Sequence, residues 1–214
     1  MLPHNEKPFL YLITKGKAND NNFSEASRQI LDLIKAAVEA EISFVQIREK
    51  QLSARRVFEL SRKASQITQN SATKLLINDR ADIAFAAFAD GVHLTAGSLP
   101  AKIIRQNFPE NFIIGVSAHT PAEILNAKNE RADFATFSPI FLTPNKGEPQ
   151  GLEKLREVCS TVKPFPVIAL GGVDETNFES VLKVGARGVA AIRLFNNAER
   201  LFKFAGKARE FKTI

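Results

Sequence analysis

The stretch Val45-Gln46-Ile47-Arg48-Glu49-Lys50 begins as a buried strand and ends in two cations. Its β-branched residues suit a packed, pleated surface. Gln46 interrupts the apolar run and, by strand alternation, points the same way as Arg48 and Lys50. A polar side chain that points inward at the end of a strand indicates an anion site, and phosphate is the ligand we expect. Taken alone, the charged residues are equally typical of a solvated loop before the next helix.

The same unit, a short apolar run followed by an amphipathic segment, recurs along the whole chain. The predicted strands span residues 9–14, 44–48, 74–78, 91–94, 112–116, 133–137, 166–170 and 188–192. Continuous apolar runs are typical of parallel strands that are buried on both faces. Eight strand–helix units predict a single-domain (β/α)₈ TIM barrel over residues 1–214. An open doubly wound sheet is the alternative, but no glycine-rich dinucleotide fingerprint follows the first strand.

Several segment boundaries follow from local signals. Ser24 is predicted to cap the first helix, and the seventh helix is predicted to span about residues 175–184. Glycine and proline in the segment 141–150 suggest a mobile lid ahead of the sixth helix.

Composition limits the function classes. The chain has 214 residues, of which 44% are hydrophobic and 24% charged, as in ordinary globular proteins. No run of about 18 apolar residues exists, and the N-terminus does not resemble a signal peptide, so we expect no membrane association. The single cysteine, Cys159, excludes an internal disulfide and a cysteine-rich zinc site. A cytoplasmic protein is the resulting expectation.

The formal net charge is +6, from 29 basic and 23 acidic residues. The basic residues are scattered, and the chain has no Trp and one Tyr. We therefore expect no nucleic-acid partner, because an anionic small molecule explains the sign of the charge equally well. The oligomeric state is left open, and a homo-oligomer is compatible with the sequence.

Polar residues follow the predicted strands, and in a barrel they meet at the C-terminal mouth, where active sites lie. They are Gln46, Arg48, Lys50, Asn78, Asp79, His93, Ser117, His119, Ser138, Thr143, Asn145, Lys146, Gly171, Gly172 and Arg193. Arg48, Lys50 and Lys146 place three cations on one rim, and Arg193 is a candidate fourth. Arginine grips phosphate oxygens in a bidentate way, whereas lysine acts as a point charge.

Other mouth residues have two interpretations each. Asp79 would hold Mg²⁺ together with substrate phosphates, or else pair with a cation or cap the next helix. Gly171 and Gly172 would let backbone N–H groups bind phosphate, or else form a tight turn. His119 is an acid/base candidate or a packing residue at a helix start. His93 lies within a strand and is interpreted as structural.

Six motifs occur in order and together carry a family resemblance. They are Val45-Gln46-Ile47-Arg48-Glu49-Lys50, Ile77-Asn78-Asp79-Arg80, Asp90-Gly91-Val92-His93-Leu94, Gly115-Val116-Ser117-Ala118-His119-Thr120, Pro139-Ile140-Phe141-Leu142-Thr143-Pro144-Asn145-Lys146 and Ala169-Leu170-Gly171-Gly172-Val173. The chain resembles the thiamine phosphate synthase superfamily, which includes the thiazole tautomerases. The resemblance runs from about residue 9 to residue 195.

The resemblance implies a barrel that joins hydroxymethylpyrimidine pyrophosphate to thiazole phosphate. Pyrophosphate would leave with the help of Mg²⁺, a stabilised pyrimidine cation would form, and the thiazole nitrogen would attack it. The residues that match pyrophosphate contacts are Gln46, Arg48, Lys50, Asn78 and Lys146. Asp79 matches a Mg²⁺ ligand, Ser117 and Thr143 match substrate contacts, and Gly172 matches the thiazole-phosphate site.

Three positions depart from the family pattern. Ser98 stands where a second metal-binding Asp is expected, Asn145 replaces a Thr, and Arg193 replaces a Ser. Asn145 can still form hydrogen bonds, and Arg193 would either bind the phosphate or obstruct the site. The segment 95–100 resembles the tautomerases, which would use His119 as acid/base without a metal. A synthase is favoured over a tautomerase and over a non-catalytic barrel that binds these phosphates.

Overall fold

The computed structural model describes residues 2, 7–144 and 146–211. Its strands are β1 Phe9–Ile13, β2 Phe44–Ile47, β3 Lys74–Asn78, β4 Gly91–Leu94, β5 Ile113–Ala118, β6 Phe134–Phe137, β7 Val167–Leu170 and β8 Gly188–Ala191. Its helices are α1 Phe23–Glu39, α2 Ala54–Thr68, α3 Ala81–Ala86, α4 Ala101–Asn107, α5 Pro121–Asn129, α6 Gly151–Val162, α7 Phe178–Lys183 and α8 Ala198–Glu210. Every strand is followed by a helix, as the sequence predicts.

The eight strands are all parallel and close into a barrel in sequence order. Closure is made by β1 and β8, where Phe9 pairs with Gly188 and Tyr11 with Ala190. The predicted (β/α)₈ barrel is therefore confirmed, and the open doubly wound sheet is wrong. All eight strand ends consequently meet at one mouth.

An aromatic layer fills the middle of the barrel. The rings of Phe44 and Phe134 lie 5.1 Å apart, and the ring of Tyr11 lies 5.6 Å from Phe44 and 5.7 Å from Phe134. All three side chains are completely buried. The two pairs that involve Tyr11 pack edge to face and the Phe44–Phe134 pair is tilted, and together the three rings make the barrel interior a solid core. The mouth is therefore a shallow site that rests on this layer.

Two local expectations are wrong. α1 begins at Phe23, so Ser24 lies inside the helix and Asn22 takes the capping position, without a side-chain cap. α7 begins at Phe178, three residues later than predicted. Before it, Asn177 Oδ1 accepts a hydrogen bond from Asp174 N over 2.9 Å, and this side-chain turn competes with the helix. No helix in the described part of the chain is long and apolar enough to span a membrane.

Candidate active site at the barrel mouth

Four polar side chains line one half of the barrel interior above the aromatic layer. They are Gln46 on β2, Asn78 on β3, Ser117 on β5 and Thr136 on β6, and we call them the polar arc. Each lies two residues after an inward-facing position, so strand alternation turns it inward as well. Ser117 and Thr136 are register partners on neighbouring strands. The other half of the interior is apolar, so the mouth floor has one polar and one apolar side.

The polar arc carries unsatisfied hydrogen-bonding atoms. Gln46 Nε2, Asn78 Oδ1 and Thr136 Oγ1 are buried and have no hydrogen-bond partner within the described chain. A buried polar atom without a partner destabilises a protein by about 1–3 kcal/mol. Three of them on one arc indicate a surface that is complemented by the polar groups of a bound molecule.

Asp79 has an unusual backbone and a crowded carboxylate. Its φ is +59°, in the left-handed region that residues with a Cβ rarely adopt. Its Oδ1 accepts hydrogen bonds from Thr95 Oγ1 over 2.9 Å, from Thr95 N over 3.3 Å and from the Ser98 hydroxyl. Its Oδ2 accepts from Asn78 Nδ2 over 2.8 Å. Arg80, not Asp79, takes the capping position of α3, so the capping interpretation is wrong.

Asp79 is held ionised. Burial alone raises its pKa, but hydrogen bonds from Ser98, Thr95 and Asn78 outweigh burial and bring the pKa below its ordinary value. Ser98, at the position of the expected second carboxylate, therefore stabilises the charge of Asp79.

This donor set fits a Mg²⁺ ion. An ionised carboxylate and the unpartnered oxygen of Asn78 lie side by side on adjacent residues. Among the described residues no cluster of three or more His, Cys, Asp or Glu could hold a metal. Mg²⁺ suits such a site, because it is commonly bound by one or two carboxylates and completed by water and substrate phosphates.

Two cations follow β2. Arg48 is half-buried, Lys50 is exposed, and neither side chain forms an ion pair with any described residue, unlike Arg80 and Arg200. Glu49, between them, is buried and accepts hydrogen bonds from Gly16 N and Ala18 N over 3.0 and 2.8 Å. Because Glu49 is used in this way, it leaves its two neighbours unneutralised.

Two of the cavities near the C-terminal ends of the strands have predicted site residues in their lining. The first, which we call the β3 cavity, has a volume of about 340 Å³, and its lining includes Lys50, Asn78 and Asp79. The second, the β8 cavity, has a volume of about 520 Å³, and its lining includes Thr143, Lys146, Gly171, Gly172 and Arg193. Some of the predicted site residues are thus divided between two cavities, whereas Gln46, Arg48, Ser117 and His119 line neither of them.

The β8 cavity is basic. Lys146 and Arg193 are exposed, and neither forms an ion pair within the described residues, whereas Arg200, also in the lining, pairs with Glu175. The resemblance implies a pyrophosphate contact for Lys146; Lys146 lines the β8 cavity and not the β3 cavity. Arg193 lines the cavity and does not fill it. Asn145, predicted to bind substrate, lies outside the described residues.

Gly171 and Gly172 have φ of +96° and +68°. A Cβ on Gly171 would lie 2.8 Å from Pro139 Cα, and one on Gly172 would lie 2.7 Å from Phe141 Cβ. A Cβ at either position would therefore collide with the segment after β6. Phosphate binding by these backbone N–H groups stays a prediction.

His93 lies inside the barrel, as a structural residue should. Its Nδ1 is 3.0 Å from the Tyr11 hydroxyl and its Nε2 is 2.9 Å from Ser117 Oγ. Burial, opposed by the charge of Asp79, lowers its pKa to about 4, so the ring is neutral near pH 7. His93 nevertheless contacts a predicted substrate-binding residue, Ser117.

His119 is exposed at the end of β5. Its Nδ1 donates to the Ser138 carbonyl over 2.8 Å, which leaves Nε2 with a free lone pair. Thr120 and Glu123 form a capping box directly after it. His119 is not in the described lining of either cavity, and its acid/base role stays a prediction.

Thr136 and Tyr11 lie inside the barrel but are not among the site residues predicted from the sequence. Both stand inside apolar runs that were interpreted only as strands. Alternation from Phe134 would have placed Thr136 on the inner face, beside Ser117. Nothing in the sequence pairs Tyr11 with His93, because that contact joins β1 and β4 across the barrel.

Comparison with known proteins gives one consistent result. Residues 10–195 match the family model described as thiamine monophosphate synthase. The thiamine-phosphate synthase of Moorella thermoacetica is 36% identical over 189 residues, which are 87% of this chain and 90% of that protein. That of Enterococcus faecalis is 35% identical over 197 residues, 92% of this chain and 90% of that protein. The solved thiamine phosphate pyrophosphorylase from Pyrococcus furiosus superposes with a TM-score of 0.78 at 28% identity and covers 95% of this chain and 98% of its own.

Proposed function

We propose that this chain, which belongs to the thiamine monophosphate synthase family, is a thiamine phosphate synthase that joins hydroxymethylpyrimidine pyrophosphate to thiazole phosphate and releases pyrophosphate. The observation that carries the proposal is that the ionised Asp79 lines the β3 cavity together with Lys50, two residues after Arg48, and that neither cation forms an ion pair with a described residue. Cations and a metal-binding carboxylate together suit a leaving group that develops several negative charges.

The reaction breaks the bond between the pyrimidine methylene carbon and the pyrophosphate oxygen, and the electron pair stays with pyrophosphate. The thiazole nitrogen then donates its lone pair to the resulting pyrimidine cation and forms the new C–N bond. Arg48 and Lys50 stabilise the departing charge, and Gln46 and Asn78, which carry buried polar atoms without partners, bind the pyrophosphate in this proposal. Because these groups are fixed before substrate binds, little reorganisation is needed during bond cleavage.

Asp79 and Asn78 are the residues that would hold Mg²⁺. When bound, the ion would neutralise negative charge on the pyrophosphate oxygens. Ser98 and Thr95 direct three hydrogen bonds to Asp79 Oδ1, whereas Oδ2 accepts only one, from Asn78 Nδ2, so Oδ2 would have room for a cation. A second carboxylate would then not be required, because substrate oxygens and water could complete the coordination of a bound Mg²⁺.

The β8 cavity takes the thiazole phosphate. Arg193 and Lys146 supply its positive charge, and Thr143, whose hydroxyl donates to the Phe141 carbonyl over 2.9 Å, would redirect that donor to the phosphate. In this proposal Arg193 replaces the expected Ser as a direct phosphate ligand, since an unpaired guanidinium can donate two parallel hydrogen bonds. Asn145, Gly172 and the pyrophosphate contact of Lys146 remain proposed substrate contacts.

The alternative of a thiazole tautomerase rests on His119, whose Nε2 is free to accept a proton. A tautomerase has no evident use for an ionised Asp79 that shares a cavity with the unpaired Lys50, which favours the synthase. Small phosphorylated molecules are the proposed partners in either case. A homo-oligomeric state and a cytoplasmic location stay predictions.

Two substitutions separate the candidate functions. Asp79→Asn keeps the size of the side chain and one acceptor oxygen but removes its charge and its second acceptor, and synthase turnover should fall by at least about 100-fold. His119→Ala should leave synthase turnover within about threefold of the parent protein, because Nε2 faces no group in the proposed reaction. The assay is thiamine phosphate formation from both substrates in Mg²⁺. The reverse pattern, with thiazole isomerisation dependent on His119, would establish the tautomerase.

A further inference from the structure

Tyr11, His93 and Ser117 form a hydrogen-bonded chain that runs from the aromatic layer to the polar arc. The Tyr11 hydroxyl is 3.0 Å from His93 Nδ1, and His93 Nε2 is 2.9 Å from Ser117 Oγ. Tyr11 and His93 are 0% and 2% exposed, while Ser117 is half-buried at the mouth. The three residues come from β1, β4 and β5, so the barrel itself sets their spacing.

The direction of each hydrogen bond follows from what each group can donate. The Tyr11 hydroxyl has no hydrogen-bond partner among the described residues other than His93 Nδ1. A buried phenol O–H requires an acceptor, so Nδ1 must accept. In a neutral imidazole the other nitrogen then carries the proton. His93 Nε2–H therefore donates to Ser117 Oγ.

The consequence lies at Ser117. Its oxygen uses one lone pair to accept from His93, and its own proton is left for a group in the mouth. We propose that Tyr11 and His93 are positioning residues that fix Ser117 as a hydrogen-bond donor to the phosphorylated pyrimidine substrate. This inference rests on the proposed function, in which Ser117 contacts substrate.

A hydroxyl at position 117 that is fixed as a hydrogen-bond donor suits a phosphorylated substrate. Ionised phosphate oxygens accept hydrogen bonds and cannot donate them. If the His93 tautomer were reversed, Ser117 would donate inward to Nε2 and would present only lone pairs to the substrate. The chain therefore selects the hydroxyl orientation that favours an anionic leaving group, before substrate arrives.

Packing alone does not explain these polar groups. The rings of Tyr11 and His93 both contact the Phe134 ring, at centroid distances of 5.7 and 6.0 Å. Phenylalanine at position 11 would keep these ring contacts without burying a hydroxyl. Burying polar atoms is unfavourable unless they are hydrogen-bonded, so an all-apolar layer would serve stability equally well.

The kinetic test is a double-mutant cycle. Tyr11→Phe removes the hydroxyl that donates to His93 Nδ1, so Nδ1 no longer has to be an acceptor. The change should lower kcat/KM roughly tenfold, mainly through kcat, since the hydrogen bond from Ser117 to the charged substrate is weakened. In a Ser117→Ala background the same change should alter kcat/KM by less than about twofold. Thr73→Val, which deletes a buried, unpartnered hydroxyl at the foot of the barrel, is the matched control and should leave kcat/KM unchanged.

The second measurement does not depend on turnover. Nitrogen-15 spectra of the imidazole should show His93 as the Nε2–H tautomer in the unmutated protein, with its signal assigned by loss in His93→Gln. Tyr11→Phe should abolish that single tautomer. An Nδ1–H tautomer in the unmutated protein, or an equal Tyr11→Phe effect with and without Ser117, would overturn the inference. If the unmutated protein shows no synthase activity, the proposed function fails, and the spectra alone decide whether Ser117 is oriented as inferred.

Discussion

Single residues at the mouth are kept in conformations that cost folding free energy. Asp79 occupies the left-handed region, and the polar arc leaves three buried polar atoms without partners. Such features are expected where a site is organised before its ligand binds. The sequence identified Asp79 and Asn78 because they follow a strand, but backbone strain and unsatisfied atoms depend on neighbours that only the folded chain supplies.

Strain at Asp79 predicts an unusual order of stabilities. Left-handed backbone disfavours a residue with a Cβ by about 1–2 kcal/mol, and glycine avoids this. Asp79→Gly should therefore unfold with a free energy about 1 kcal/mol higher than Asp79→Ala, although both lose the same carboxylate. Urea denaturation measures the difference. Equal stabilities would show that residue 79 is unstrained.

Thr136 carries a hydroxyl that no described group satisfies. Thr136→Val should raise the unfolding free energy of the ligand-free protein by about 1 kcal/mol, because an unpaired polar atom leaves the core. Ser117→Ala is the matched comparison and should lower stability, since the Ser117 hydroxyl is bonded to His93. A loss of stability in Thr136→Val would mean that its hydroxyl has a partner.

At the scale of elements, β7 and the segment after β6 are built against each other. Two backbone hydrogen bonds join them. Phe141 N donates to the Gly171 carbonyl over 3.0 Å, and Ile140 N donates to the Leu170 carbonyl over 3.0 Å. The segment that carries Thr143 and Lys146 thus takes its position from β7. A lid over residues 141–150, suggested by the sequence, is anchored at least at its start.

Gly172→Ala tests this dependence. The added Cβ would meet Phe141 and the Leu142 carbonyl, so the segment must move. A displacement of about 1 Å at a positioning segment can lower kcat/KM roughly 10- to 100-fold. Gly206→Ala on α8 is the control: nothing lies within 4 Å of its Cβ, and it should gain about 0.5–1 kcal/mol of stability with unchanged kinetics. Unchanged kinetics in Gly172→Ala would contradict the dependence.

For the whole molecule, the sequence predicted the barrel because its eightfold alternation is a global signal that tolerates local errors. Ser24 and the start of α7 were misassigned, yet neither error moved a strand. The site was predicted as one set of strand-end residues. Its division into β3 and β8 cavities was not, because the division depends on where loops fold over the mouth.

Global stability should depend on the neutral state of His93. Its pKa is about 4 in the folded protein and near 6.5 when unfolded, and Asp79 and Arg48 are the charged groups that act on it. As the pH falls, the unfolded chain therefore binds a proton at His93 before the folded protein does. The stability that neutral His93 contributes is complete above pH 6.5 and is lost as the pH falls towards 4. The loss amounts to about 3 kcal/mol. Urea denaturation across this range should show it in the parent protein and not in His93→Gln.

The central claim is that this mouth joins two phosphorylated substrates. The most direct test incubates the unmutated protein with hydroxymethylpyrimidine pyrophosphate and thiazole phosphate, with Mg²⁺ or with a chelator, and quantifies thiamine phosphate and pyrophosphate together. We expect both products in equal amounts with Mg²⁺ and a large loss with chelator. Correctly folded protein that binds both substrates and forms neither product would contradict the account and would identify the barrel as a binding protein.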